Sequence, residues 1–397
     1  MIKITNLADC CGCSACANIC NHDAITMKPD ALGFYYPLVD SNKCVDCGLC
    51  DRVCAFHEGY NTDNNLNKPI CFGVRHIDEN QIRTSRSGAV FVALSDYILE
   101  RGGVVYGAAF DADFNVEHTR ATTKTERDRF KGSKYVQSFI GNTFAKVKKD
   151  LQDGFLVLFS GTPCQCAGLN SFIGKKYKDK LYLIDVVCHG TPSPTIWKDY
   201  KNYIEKKYKS KIINANFRDK SIIGWSGHME SFNFQNGKYK LLRHWTHLFY
   251  LNIMQMRACE NCHFCNLIRP SDISIADFWS WEKAAPGFNN DNKGASLVIC
   301  NTNKGLELFD KCKSDVTYLN IDINKCIQPN MIEPSKEHPL RDTFENEYIS
   351  KGFNYVYFKY GDDGWHYKIR PMVVAKKVKR GVRKILRYLG IWTQIQN

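Results

Sequence analysis

Apolar positions along the chain fall into successive regimes. Between two early cysteine runs, "AITMKPDALGFYYPLVD" alternates around a turn and predicts two short strands. "EGYNTDNNLNKP", residues 58–69, is polar and rich in Asn, which predicts a linker. Beyond it the hydrophobic period switches repeatedly. "GAVFVALSDYILERGG" has helical spacing and a glycine stop, and "VVYGAAF" and "VEHTRAT" read as strands joined by "DADFN". "NTFAKVKKDLQDG" reads as a helix leading into the strand "FLVLFS", and "LYLIDVV" as another buried strand. "TPSPTIWKDYKNYIEKKY" predicts a helix capped by Ser193 with Pro194 in its first turn. "FNFQNGKYKLL" predicts a hairpin through Asn236 and Gly237.

Such alternation favours a mainly parallel sheet covered by helices. At 397 residues the chain exceeds one compact core. No apolar run approaches the roughly 20 residues that cross a bilayer, and "MIKITNLADC" has no apolar signal core, so a cytoplasmic location is expected. In a reducing compartment the 19 cysteines point to metal rather than disulfides. The formal charge of +13 suits a nucleic-acid binder. Several clusters of net charge about −2, together with a phosphate-bearing cofactor, offset much of it, and no nucleic-acid partner is expected.

Cys10, Cys13, Cys16 and Cys20 follow C-x2-C-x2-C-x3-C, and Cys44, Cys47, Cys50 and Cys54 repeat it. This spacing is that of a bacterial two-cluster ferredoxin, in which the fourth cysteine of each run ligates the other cluster. The expected sets are therefore Cys10, Cys13, Cys16 and Cys54, and Cys44, Cys47, Cys50 and Cys20. Asn21 and Ala55 stand where proline usually follows the fourth cysteine. Cys11 lies outside the spacing and is read as a spectator. Structural zinc would want two Cys pairs separated by a loop instead.

"SGTPCQCAGLN" places Cys164 after one predicted strand, and Cys188 ends another. Sites in open α/β sheets assemble outside the carboxyl ends of strands, so both cysteines belong on one rim. "MRACENCHFC" adds Cys259, Cys262 and Cys265. A pair such as Cys259 and Cys262 needs two more thiolates to complete a metal site. Cys164, Cys188, Cys259 and Cys262 are thus expected to hold a third four-iron cluster.

"GTPCQCAGL", "CHGTPSPTIWKDY", "RACENCHF…SDISIADFW" and "KGSKYVQS" resemble motifs of the family formed by the beta subunits of coenzyme F420 hydrogenases and dehydrogenases, in matching order. The likeness runs from the cysteine runs to about residue 330. It implies an iron-sulfur flavoprotein that carries electrons between 4Fe-4S clusters, FAD and a second organic substrate, often a deazaflavin. It implies the same four ligands for the cluster nearest the flavin, with Cys265 as an alternative ligand and Cys166 without a role.

No G-x-G-x-x-G follows a strand, so a Rossmann site is not supported. "RTSRSGAVF" instead sets Ser87, Gly88 and Ala89 before a helix, where exposed N–H groups favour phosphate. The family shows two adjacent glycines here, and Ala89 replaces the second. Lys131, Gly132, Ser133, Lys134 and Tyr135 add positive charge and a ring to pack on a flavin. The resemblance extends the cofactor site to Gly161, Thr162, Pro163 and Gln165. His189, beside Cys188, is the candidate proton donor at the rim. The implied chemistry is two-electron exchange between substrate and flavin, followed by single-electron steps through three clusters.

The fold class expected is an α+β ferredoxin-like two-cluster domain followed by an α/β domain with a mainly parallel or mixed sheet. The expected boundaries are residues 1–58 for the two-cluster domain, 59–70 for the linker, 71–150 and 151–335 for the two parts of the flavin domain, and 336–397 for an extension. In that extension Val378, Val382, Ile385, Leu389 and Trp392 share one helical face, and Lys377, Lys379, Arg380, Arg383, Lys384 and Arg387 crowd the rest. Two readings stand for it: peripheral membrane contact, or docking on its own protein or a partner. Three functions stand as well: an oxidoreductase with its own small-molecule substrate, an electron-transfer subunit serving a redox partner protein, and a non-enzymatic metal-binding interaction protein.

Overall fold

The computed structural model describes residues 1–361; the basic amphipathic helix expected further on lies outside them. In the N-terminal domain, β1 (Ile25–Pro29) and β2 (Tyr35–Val39) pair antiparallel between the two cysteine runs. Each run ends in a short helix, Ala15–Ile19 or Leu49–Arg52.

Polar residues 58–69 do not form a free linker. β3 (Asn65–His76) already begins within them, because Asn65 pairs with the far end of a core strand. Tyr60 is tied down as well, donating its hydroxyl to the Ile268 carbonyl at 2.6 Å. Pairing here overrides the polar composition.

An eight-stranded mixed sheet forms the centre of the larger domain. It contains β3, β4 (Val104–Phe110), β5 (Val116–Ala121), β6 (Val157–Gly161), β7 (Leu181–Val186), β11 (Ile273–Asp277), β12 (Ser296–Thr302) and β13 (Val316–Ile321), in the order β13-β3-β12-β11-β7-β6-β4-β5. The four strands β4, β6, β7 and β11 run parallel, and the remaining neighbours pair antiparallel. β12 is buried along its whole length, as a central strand covered on both faces must be. Helices Val90–Leu99 and Asn303–Lys311 pack in the core on one face, and helices Thr143–Gln152 and Pro163–Ile173 on the other.

A small second sheet, β8 (Ile212–Asn216), β9 (Glu230–Phe234) and β10 (Tyr239–Leu242), carries the predicted Asn236–Gly237 hairpin. It closes an aromatic core around Trp197, Phe232 and Trp245. Leu32, Phe34 and Tyr36 of the N-terminal domain are buried in that same core. So are Phe344, Tyr348 and Tyr357 from helices Arg341–Lys351 and Phe353–Tyr360. The two domains and the first part of the extension therefore share one hydrophobic interior.

An ion pair pins the chain beneath the site. Asp185 on β7 and Arg269 are both almost wholly buried and meet at 2.6 Å. Ser271 donates to the other Asp185 oxygen, and the Arg269 guanidinium also donates to the Phe264 carbonyl and to Ser274. Removing one partner strands a buried charge, which costs about 3–5 kcal/mol. Arg269→Met is expected to lower unfolding stability by that amount in denaturant titrations of the anaerobic protein. The loop 259–268 is expected to loosen with it, giving faster amide hydrogen exchange there than in β1 and β2.

Candidate iron-sulfur and cofactor site

The thiols gather into three groups. Cys10, Cys13, Cys16 and Cys54 are electrostatic neighbours of one another. Cys20, Cys44, Cys47 and Cys50 line one small cavity of about 20 Å³ near the surface, with Cys47 exposed. Cys164, Cys188, Cys259 and Cys262 form the third group, at the carboxyl ends of β6 and β7. Cys164 sits in the first turn of helix Pro163–Ile173.

The surroundings suit metal-bound sulfur. Burial pushes the Cys10 thiol up to about 12 and the Cys259 thiol up to about 12, and holds Cys16 and Cys188 well above the ordinary thiol value. Thiols crowded together without an adjacent cation ionise only when a metal centre supplies positive charge. Each group also receives a backbone N–H···S bond: Gly12 to Cys10 at 3.5 Å, Ile2 to Cys50 at 3.2 Å and Thr191 to Cys259 at 3.4 Å. Hydrogen bonds to sulfur are among the groups that set a cluster's potential.

Other cysteines have definite places. Cys11 hydrogen-bonds with both Cys13 and Cys164, so the residue read as a spectator stands between two groups. Cys265 donates to Cys262 and holds that thiol down at about 7. Cys166 is wholly buried, its S–H turned to the Ile184 carbonyl. Cys71 and Cys326, far from these groups in sequence, hydrogen-bond one another in the core.

A cavity of about 400 Å³ opens beside Cys188. Its walls include Ser87, Lys131, Gly132, Ser133, Lys134, Tyr135, Gly161, Thr162, Gln165 and His189. Two of the expected residues are not there. Gly88 spends its N–H on the Ser296 hydroxyl, and a Cβ on it would stand 2.2 Å from the Val74 carbonyl oxygen; its smallness serves strand packing, not phosphate. Pro163 is buried at the helix start behind Thr162 and Gln165, which cap the helix reciprocally. Ala89 takes a left-handed φ of +63°, the conformation that makes glycine the easier residue there.

A second cavity of about 1040 Å³ shares Arg86, Lys131, Lys134 and Arg218 with the first. Positive charge is left over where they meet. Arg86 is 8% exposed, its nearest carboxylate is Asp277 at 3.8 Å, and its Nε and Nη1 have no hydrogen-bond partner. Among the described residues Lys134 donates only to the carbonyls of Arg129 and Lys131, and Lys220 only to those of Ile82, Ser87 and Lys293. Burial lowers these ammonium groups to about 7 and about 8. Lys131, by contrast, is satisfied by Gln81 and Asp128. Cations held by carbonyls, as Lys134 and Lys220 are, or by a carboxylate no nearer than 3.8 Å, as Arg86 is, fit an anionic ligand such as a diphosphate. Arg86, Arg218 and Lys220 escaped the sequence reading because nothing local marks them. His189 has both ring nitrogens engaged, by Asn252 at 2.7 Å on one side and by Asn330 and Ser335 on the other.

Residues 9–57 match the family model of the 4Fe-4S dicluster domain, and residues 156–323 match that of the C terminus of the coenzyme F420 hydrogenase/dehydrogenase beta subunit. Together they define the class, an iron-sulfur protein with a dicluster ferredoxin-type domain ahead of a mixed α/β domain. The second of these models covers the third thiol group, and over that stretch the chain is similar to the beta subunits of coenzyme F420 hydrogenases and dehydrogenases. One of the subunits of the F(420)H(2) dehydrogenase of Methanosarcina mazei is 23% identical over 184 residues, 44% of this chain and 51% of that protein. The chain thus spans about half the length of this curated relative. A chain of the F420-reducing NiFe hydrogenase complex from Methanosarcina barkeri superposes with a TM-score of 0.44 at 14% identity, covering 74% of this chain and 91% of that one. No helix among the described residues is long and apolar enough to cross a membrane.

The first and third groups approach through a missing methyl. A Cβ on Gly168, in helix Pro163–Ile173, would lie 2.7 Å from the Cys13 sulfur. Alanine gains about 1 kcal/mol over glycine inside a helix, but overpacking costs about 1–3 kcal/mol. Gly168→Ala is expected to lose stability by up to about 2 kcal/mol net. Thermal denaturation under anaerobic conditions checks this, since helix propensity alone predicts a gain.

Proposed function

We propose that this chain is an oxidoreductase that passes electrons between three 4Fe-4S clusters, FAD and a second organic substrate, together with a redox partner protein. One observation carries the reading: Cys188 belongs to the third thiol group and also lines the cavity whose unneutralised cations suit a phosphate-bearing cofactor. In this reading Cys10, Cys13, Cys16 and Cys54 hold one cluster. Cys20, Cys44, Cys47 and Cys50 hold the outermost, and Cys164, Cys188, Cys259 and Cys262 the innermost.

FAD, when bound, exchanges electrons in pairs with an organic molecule and singly with clusters. Arg86, Lys134 and Lys220 hold its diphosphate by charge-assisted hydrogen bonds. Tyr135, stacked on Phe249 at 4.4 Å, supplies a rigid aromatic wall. His189 is a positioning group here, since both its ring nitrogens are already engaged, one by Asn252 and the other by Asn330 and Ser335. The substrate is coenzyme F420 or another small molecule; a relative named for F420 chemistry makes it the first to try. A second reading keeps the clusters without an organic substrate, as an electron-transfer subunit of a larger complex.

Anaerobic purification is expected to yield roughly twelve iron and twelve sulfide per chain with bound FAD. Zinc without iron or flavin would overturn the proposal. Oxidation of reduced F420 by a dye acceptor without added protein supports the enzyme, and activity only with a partner supports the electron-transfer reading. FAD affinity is also expected to depend on pH. A bound phosphate raises the pKa of Lys134 above its free value of about 7, so binding takes up a proton. Affinity should be greatest below about pH 7 and decline as pH rises toward about 9, as isothermal titration will show.

A further inference from the structure

Tyr250 lines the cavity at the end nearest the third thiol group, its ring centroid 5.6 Å from that of His189, which follows Cys188. It is 43% exposed, and its hydroxyl hydrogen-bonds to Nδ1 of His228. The other nitrogen of His228, Nε2, lies 2.8 Å from Nη2 of Arg218. Arg218 is anchored in turn by Asp277 at 2.5 Å and lies 5.0 Å from the Trp279 ring centroid.

Donor chemistry fixes the direction of this chain. A guanidinium only donates, so Nε2 of His228 must accept. Burial lowers His228 to about 4, so the imidazole is neutral and its one proton sits on Nδ1. Nδ1–H then donates to the phenol oxygen. Among the described residues the Tyr250 proton is left without an acceptor, and it points away from His228. Burial also holds the phenol above its ordinary value, so the proton stays on oxygen.

Glu230 aims the ring. It accepts from the backbone N–H groups of Trp245 and Thr246 at 2.9 and 3.1 Å, capping the helix that ends at Tyr250.

We propose that Tyr250 is a specificity-determining hydrogen-bond donor to the cavity's occupant, reading a carbonyl oxygen or unprotonated ring nitrogen on the redox-active ring of the bound flavin. The inference rests on the flavin reading above. It places that ring at the Cys188 end, where exchange with the third cluster is shortest, and gives Arg218 and His228 the role of orienting Tyr250.

The test uses the full chain, purified anaerobically, with FAD as probe. Tyr250→Phe keeps the ring and removes the donor. It is expected to weaken FAD binding roughly three- to tenfold. It is also expected to shift a flavin carbonyl band to higher frequency in infrared difference spectra. His228→Leu should reproduce part of the loss. His228→Asn should recover it, because an amide accepts through oxygen and donates through nitrogen as the neutral imidazole does. FAD binding with affinity and carbonyl bands unchanged in Tyr250→Phe overturns the proposal and leaves the flavin reading standing. Failure of the wild-type chain to take up FAD overturns the flavin reading and, with it, this role for Tyr250.

Discussion

The buried pair of Asp185 and Arg269 is the constraint on which the candidate site depends. Asp185 sits on β7, three residues before Cys188, and Arg269 follows the loop that carries Cys259 and Cys262. Their contact holds two segments, 84 residues apart in sequence, at one end of the sheet. Thiols from such distant segments cannot find one another by local structure, so the geometry must be enforced from below. A buried pair is a poor source of net stability, but its directional hydrogen bonds define one arrangement and penalise others. Apolar packing alone would leave the loop free to slide.

What could be read beforehand follows the range of the interactions involved. The two early cysteine runs were legible because each binding turn is encoded within eleven residues. Cys164 and Cys188 were legible through topology, since parallel strands deliver their carboxyl ends to one rim. β3, β12 and β13 were not seen because their pairing is antiparallel and long-range, set by neighbours rather than by local pattern. The same reason explains why strand structure reaches back into the polar stretch after residue 58.

At the cavity beside Cys188, the basic loop and the helix start are legible in the sequence, but Gly88 serves strand packing rather than the expected phosphate contact. A glycine needed for phosphate and one needed for strand packing look alike in a sequence, and only the carbonyl of Val74 distinguishes them. Arg86, Arg218 and Lys220 were invisible for a different reason. A cation acquires meaning from the groups set around it, a close carboxylate for Arg218 and only carbonyls among the described residues for Lys220, and those neighbours are assembled only by folding.

The seat of the N-terminal domain has a kinetic consequence. Asn18 bonds to Gly141 and Ala145, Tyr35 to Gln137, and Leu32 to Ser193, while the Cys13 sulfur fills the notch at Gly168. A domain fastened at so many points has no hinge on which to swing. Under the proposed function, an electron exchanged between it and the sheet domain tunnels over a fixed gap, so that exchange is indifferent to solvent viscosity, unlike transfer in carriers whose redox domain must diffuse between docking positions.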